Sequence, residues 1–168
     1  MKISNIILSW DFVIAIILTL VTALILPSYL ELEFCKSFFS IGISVLSIIF
    51  SIFFAALAII MASSDNDFIE FLEENGDFTA LLDTFKITLV MLFVSLIYSI
   101  ILYVITDYYI STLNCQTVNQ HKTFFLIFEF LFCYSLLATG LSVKDTIIFS
   151  NFRARYLSQK NKKDNEKG

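Results

Sequence analysis

The sequence predicts an all-α integral membrane fold, and three observations carry that prediction. Hydrophobic residues make up 58% of the 168 and charged residues only 15%, where a soluble domain averages roughly a quarter charged. The deficit is concentrated in long uncharged runs, which marks membrane spans and not a greasy soluble core. Four such runs of about 20 residues occur, the length a helix needs to cross a hydrocarbon core of about 30 Å at a rise of about 1.5 Å per residue. The predicted architecture is a four-helix transmembrane bundle over residues 1–147. It carries a cytoplasmic amphipathic helical hairpin and a cytoplasmic extension of the fourth helix, residues 148–168.

The first span is Ile6–Leu26, closed by Pro27. It reads as an uncleaved anchor: Lys2 is the only basic side chain before it, the run exceeds a signal h-region, and no A-x-A-like site follows. A short segment, Ser28–Lys36, carries Glu31 and Glu33. The second span, Ser37–Ala62, is the longest, which implies tilt or an extension beyond the hydrocarbon. The third is Ile87–Thr106 and the fourth Thr123–Val143. Helix is expected to continue past Val143, because Ile148, Phe152 and Tyr156 recur every four residues with no Gly or Pro between them. From Lys160 onward the composition predicts a disordered tail.

Between the second and third spans, residues 63–85 predict two short amphipathic helices. Ser64 can cap one bearing Phe68, Ile69, Phe71 and Leu72. Asn75-Gly76 is a stop signal, and Asp77 can cap another bearing Phe78, Leu81, Leu82 and Phe85. The polar side of this pair is acidic (Asp65, Asp67, Glu70, Glu73, Glu74, Asp77, Asp83). Anionic inner-leaflet lipid repels such a face, which favours a protein contact over adsorption to the membrane surface.

Basic residues set the orientation. With both termini in the cytoplasm, the inner segments hold Lys2, Lys86, Lys144, Arg153, Arg155, Lys160, Lys162, Lys163 and Lys167, and the outer ones only Lys36 and Lys122. Tyr103, Tyr108 and Tyr109 then fall at the outer end of the third span and Trp10 at the inner end of the first, as interfacial aromatics do.

The most regular signal lies in the second span. Ser37, Ser40, Ser44, Ser47 and Ser51 follow one another at spacings of three and four, continued by Ala55, Ala58 and Ala62. One reading is a seam of close helix packing, either within the chain or between copies in a homo-oligomer. The other is a hydroxyl-lined pore built by several copies. Looser stripes run through the third span (Thr84, Thr88, Ser95, Ser99, Thr106) and the fourth (Ser135, Thr139, Ser142, Thr146). Glu129 is an intramembrane acid with no Lys or Arg inside any span to pair with, so it serves either an ion or proton role or a hydrogen bond between helices. Asp11 is read as a headgroup-region residue.

Cys35 and Cys115 both fall in outer segments and form a possible disulfide if the outside is oxidising, while Cys133 is mid-span. The acids Asp67, Glu70, Glu73 and Glu74 and the basic Arg153 and Arg155 face one compartment. They are the candidate partner-binding residues, with intramolecular pairing, lipid contact or a solvated, topology-setting end as the alternatives. No Walker loop, dinucleotide fingerprint, H-E-x-x-H or nucleophile elbow occurs. His121 stands alone in an outer segment. Neither enzymatic activity, nor a cofactor or metal, nor a nucleic-acid partner is expected.

The stretch Ala55-Ala56-Leu57-Ala58-Ile59-Ile60, then Ser63-Ser64-Asp65-Asn66-Asp67-Phe68-Ile69 and Leu72-Glu73-Glu74-Asn75-Gly76, resembles small bacterial four-span membrane proteins of anti-phage defence loci. Among these the membrane subunit of Kiwa-type systems is the first comparison. The resemblance covers about residues 37–105 and brings no catalytic residues. It implies a four-span inner-membrane oligomer that senses phage attack and works with a cytosolic partner. A pore-forming or membrane-depolarising effector is the alternative expectation.

Overall fold

Hydrocarbon offers no hydrogen bonds, so an apolar run that crosses it must pair every backbone N–H and C=O internally, and helix is the local solution. The computed structural model describes residues 10–62, 66–73, 77–113 and 119–165. Their elements, in order, are α1 (Trp10–Ile25), β1 (Tyr29–Glu31), α2 (Leu32–Ala62), α3 (Asn66–Glu73), α4 (Asp77–Leu113), β2 (Asn119–His121) and α5 (Lys122–Asn165). Three stretches are long and apolar enough to cross a membrane: Leu32–Ala58, Phe78–Thr112 and Lys122–Ser158. α1 is equally apolar but has 16 described residues. Large aliphatic side chains stand exposed on the outer faces of these helices, among them Ile17, Leu20, Ile41, Ile48, Val90, Ile97, Ile101 and Val104. An apolar exterior of that extent is solvated by lipid. The chain is a helical, multi-pass membrane protein.

Two boundaries differ from the sequence reading, each for a local reason. The second amphipathic helix expected over 77–85 is not separate, because nothing between Asp77 and Leu113 breaks a helix and α4 runs through both. Only α3 stands as a short helix of its own, and it packs chiefly on α4. α5 continues to Asn165, into the stretch expected to be disordered, since Lys160, Lys162 and Lys163 are good helix formers and no Pro or Gly intervenes. The all-α description also gains a small exception. β1 and β2 pair antiparallel, with Tyr29 opposite His121, Leu30 opposite Gln120 and Glu31 opposite Asn119. This strap ties the α1–α2 connection to the start of α5. It is extended by the Lys122 N–H donating to the Ser28 carbonyl at 3.1 Å.

The bundle is built around α2, α4 and α5, and α1 lies along α5. α2 and α4 share the most extensive interface, where the Phe53 and Phe85 rings stack 4.7 Å apart and Leu46 and Leu92 are fully buried. α2 meets α5 through an aromatic layer: Phe39 packs edge-on to Phe128 at 5.2 Å, and Phe38 onto Phe125 at 4.8 Å. Phe128 lies over Gly42, where an added Cβ would collide with its ring. Glycine at 42 leaves the space that the Phe128 ring fills, so a larger residue there would have to displace that ring. α1 holds α5 by Phe12, whose ring meets Phe130 and Tyr134 edge-on.

Candidate functional site

Polar groups inside an apolar bundle decide where chemistry or signalling is feasible, and they fall into four places here. The first is the seam between α4 and α5. The Ser95 and Ser135 hydroxyls are 2.7 Å apart, and those of Thr88 and Ser142 are 3.0 Å apart. All four residues are buried. Ser95 also reaches the Met91 carbonyl (2.8 Å) and the Leu131 carbonyl across the interface (3.1 Å), and Ser99 donates to the Phe39 carbonyl of α2 at 3.2 Å. The small-residue stripes of the third and fourth spans are therefore the internal seam of the chain. Small side chains let the two backbones close, and their hydroxyls bond across the gap.

The serine stripe of α2 behaves in the opposite way. Ser37, Ser40, Ser44 and Ser51 are exposed and Ser47 is half-buried, so the stripe turns away from the core of its own chain. Ser44 donates to the Ser40 carbonyl, Ser47 to Ile43 and Ser51 to Ser47, at 2.7–3.0 Å. Each of these hydroxyls is satisfied within its own helix, a pattern that lets serine face hydrocarbon.

The third place is the α1–α5 interface. Glu129 is 9% exposed, and its Oε1 accepts a hydrogen bond from the Thr22 hydroxyl at 2.5 Å. Its Oε2 is buried with no partner among the described residues. Of the two alternatives read from the sequence, the interhelical hydrogen bond is thus formed. Thr22 was not foreseen as the partner. The available signal was its position as one of two hydroxyl residues, with Thr19, in the otherwise apolar stretch from Phe12 to Leu26. Asp11, in the first turn of α1, is buried, and its Oδ1 has no partner among the described residues. Lys122 closes the same interface at the strand end, its Nζ donating to the Ala23 carbonyl at 2.9 Å.

The fourth place is the end of the bundle that carries α3. Fully buried Phe68 sits 5.5 Å from the Phe149 ring and 5.3 Å from Tyr156, and Phe78 packs on Phe149 at 6.5 Å. The apolar side of α3 thus docks on the part of α5 that continues past the apolar run. Phe149 was missed as an anchor because the four-residue repeat of Ile148, Phe152 and Tyr156 masks the seven-residue step from Phe149 to Tyr156. Ile148 and Phe152 instead rim a cavity of about 430 Å³ between α3, α4 and α5, with Leu72, Leu81 and Asp145. Glu73 ends α3 and accepts from both the backbone N–H (3.1 Å) and the hydroxyl (2.6 Å) of Thr79, capping the first turn of α4. Both its oxygens are used inside the fold.

The remaining candidates are charged. Glu70, Lys144, Arg153 and Arg155 make no ion pair among the described residues, where the only such pairs are Lys36–Asp107 and the longer Lys86–Asp83 contact of 4.0 Å. Asp67 lies on α3 with its side chain outside the described residues, as does all of Glu74. Cys35 is a fully buried free thiol at the start of α2, and Cys115 lies outside the described residues. At the strand end Lys36 pairs with Asp107 at 2.6 Å and lies over the Tyr103 ring at 5.9 Å. No group of three or more His, Cys, Asp or Glu side chains could hold a metal among the described residues. The chain matches no family model, no curated protein and no solved structure.

Proposed function

We propose that this protein is a four-span, non-enzymatic component of a bacterial inner membrane that assembles as a homo-oligomer and couples a membrane event to a cytosolic protein partner. Anti-phage defence is the setting, on the resemblance to the membrane subunit of Kiwa-type systems, with both termini cytoplasmic. The observation that carries the reading is the charge left over at the α3 end. Aromatic packing fixes α3 on α5, yet Glu70, Lys144, Arg153 and Arg155 have no ionic partner among the described residues. Helices carrying charges of both signs with no ionic partner among the described residues make a selective docking face, since complementary charge steers encounter and rejects wrong partners. The exposed serine stripe of α2 supports self-association, because small residues let a second copy approach closely.

The test is purification of the tagged chain in mild detergent beside an Arg153→Glu/Arg155→Glu variant. The expected outcome is an oligomer carrying a stoichiometric cytosolic protein, and loss of that protein from the variant while membrane insertion is unchanged. Binding that survives the charge reversal refutes the docking face. A second reading, a pore-forming or depolarising effector, has one observation in its favour: the α2 hydroxyls face outward, where several copies would bring them together around an axis. Ion flux unaltered by Ser44→Leu/Ser47→Leu removes it.

A further inference from the structure

At the strand end, the outer surface of the bundle carries a cleft of about 490 Å³ between the opening turns of α2 and the last turns of α4. That volume is within the size range of small-molecule sites. Glu33, Lys36, Ser37 and Ser40 of α2 line it, facing Tyr103 of α4. Ile41 and Ile110 complete the wall.

The polar groups of this cleft are open, and one charge is left over. Lys36 is held in place: its Nζ pairs with Asp107 at 2.6 Å and lies over the Tyr103 ring at 5.9 Å, while its side chain stays 34% exposed. An ammonium has three donors, so Asp107 does not exhaust it. Lys36 and Asp107 offset each other's charge. Glu33, one turn earlier, is exposed and makes no hydrogen bond or ion pair among the described residues. Its carboxylate is therefore the net charge of the cleft. The serines mark the same boundary. Ser44, Ser47 and Ser51 return their hydroxyls to their own backbone. The Ser37 and Ser40 hydroxyls, which line the cleft, are bonded to nothing among the described residues.

Depth decides what can reach these groups. Glu33 and Lys36 stand in the first turns of a membrane-crossing helix, at the level of lipid headgroups. A headgroup with a phosphate as its only charge brings a second negative charge to Glu33 and finds one lysine, already engaged. A choline has no N–H to give a carboxylate or a hydroxyl. A primary ammonium donates to Glu33 and to the serines, and the phosphate of the same headgroup accepts from the remaining donors of Lys36. Ile41, 60% exposed, continues the cleft onto the apolar flank of α2, where Ile48 is exposed too. We infer that the cleft between α2 and α4 binds the headgroup of a zwitterionic, primary-amine phospholipid, phosphatidylethanolamine, with its ammonium on Glu33, its phosphate on Lys36 and its chains running past Ile41. The inference is independent of the defence reading and needs only that the chain lie in a membrane. It leaves Ser44, Ser47 and Ser51 free for a second copy.

The test is native mass spectrometry of the full chain, delipidated in detergent and titrated with dioleoyl phosphatidylethanolamine, phosphatidylcholine or phosphatidylglycerol. The ethanolamine lipid is expected to bind about tenfold more tightly than the choline lipid, the effect of one charge-assisted hydrogen bond. Glu33→Gln should remove that preference, and Glu70→Gln, at the other end of the bundle, should keep it. Glu33 has no internal partner to lose, so its variant keeps the fold. Lys36→Met should weaken all three lipids. Because that change also strands Asp107, Ser40→Trp provides a second variant, filling the cleft with its charges in place, and it should abolish the ethanolamine preference. Equal binding of the three lipids, tighter binding of phosphatidylglycerol, or an ethanolamine preference that survives Glu33→Gln overturns the inference. So does an adduct present on the monomer and absent from the oligomer, which would assign the cleft to a second copy.

Discussion

The α4–α5 seam and the α2 stripe are both written in small hydroxylated residues at helical spacings, and the structure puts them to opposite uses. In the seam, Ser95, Ser135, Thr88 and Ser142 are buried and pair across helices. In the stripe, Ser37, Ser40, Ser44 and Ser51 are exposed, and the bonded hydroxyls turn back on their own backbone. A stripe of small hydroxylated residues therefore specifies a face on which another helix can come close. It does not say whether that helix belongs to the same chain. α2 has spent its bulky face, with Phe39, Leu46 and Phe53 fully or nearly fully buried, on the intramolecular contacts. The serine face is what remains for lipid or for a second copy.

The largest expected effect tests whether hydroxyls hold the bundle at all. Phe128 is fully buried, packs against Phe38, Phe39 and Phe132, and covers Gly42. Hydrocarbon solvates a freed phenyl ring as well as protein does, so the loss on truncation is packing and cavity formation. Phe128→Ala should destabilise the folded chain by about 3 kcal/mol, the low end for buried aromatic truncation. The readout is unfolding by a graded detergent-to-denaturing-detergent titration. A cost below that of the seam variants described next would show that hydroxyl pairing, and not the aromatic layer, dominates.

These contacts mark the limit of what the sequence discloses. The helical, multi-pass character, the approximate positions of the three long spans and the apolar side of α3 follow from run length and periodicity, which are local properties. The continuity of α4 was legible too, in the absence of Gly and Pro after Gly76, but the acidic and apolar halves of that helix differ so much in composition that they read as two elements. The strap between residues 29–31 and 119–121 is not legible, because three-residue strands carry no periodicity and pair across nearly ninety residues of sequence. The same holds for Thr22 and Glu129, and for Gly42 under Phe128. Spacing nominates faces, and only the fold assigns their neighbours.

The middle-sized effect separates the two stripes directly. Ser95→Leu inserts bulk into a closed interface and leaves the Ser135 hydroxyl only the Met91 carbonyl, at 3.4 Å. It should cost about 1–3 kcal/mol of fold stability in the same titration. Ser44→Leu adds the same atoms to an exposed face, and the stability of the single chain should shift by less than about 0.5 kcal/mol. Its effect belongs to assembly: light scattering on the purified detergent complex should report a smaller oligomer for Ser44→Leu and the wild-type oligomer for any folded variant of the seam. Equal fold destabilisation by the two variants would mean that the stripe is internal after all.

The smallest effect concerns the α3 end, where the same question of inward and outward commitment applies to charge. Glu73 and Glu70 are three residues apart on one short helix, and both read as partner-binding acids. Glu73 has both oxygens on Thr79, whereas Glu70 is exposed and makes no ion pair among the described residues. Glu73→Ala should loosen the start of α4 by about 0.5–1 kcal/mol, the usual cost of a lost cap. Amide hydrogen exchange over residues 77–82 should speed up correspondingly and leave the spans protected. Glu70→Ala should leave that exchange unchanged and weaken only the association with the proposed cytosolic partner. If Glu73→Ala leaves exchange at the α4 start unaltered and reduces partner association as much as Glu70→Ala does, the cap is incidental. The acidic side of α3 then acts as one binding surface, with Glu73 part of it.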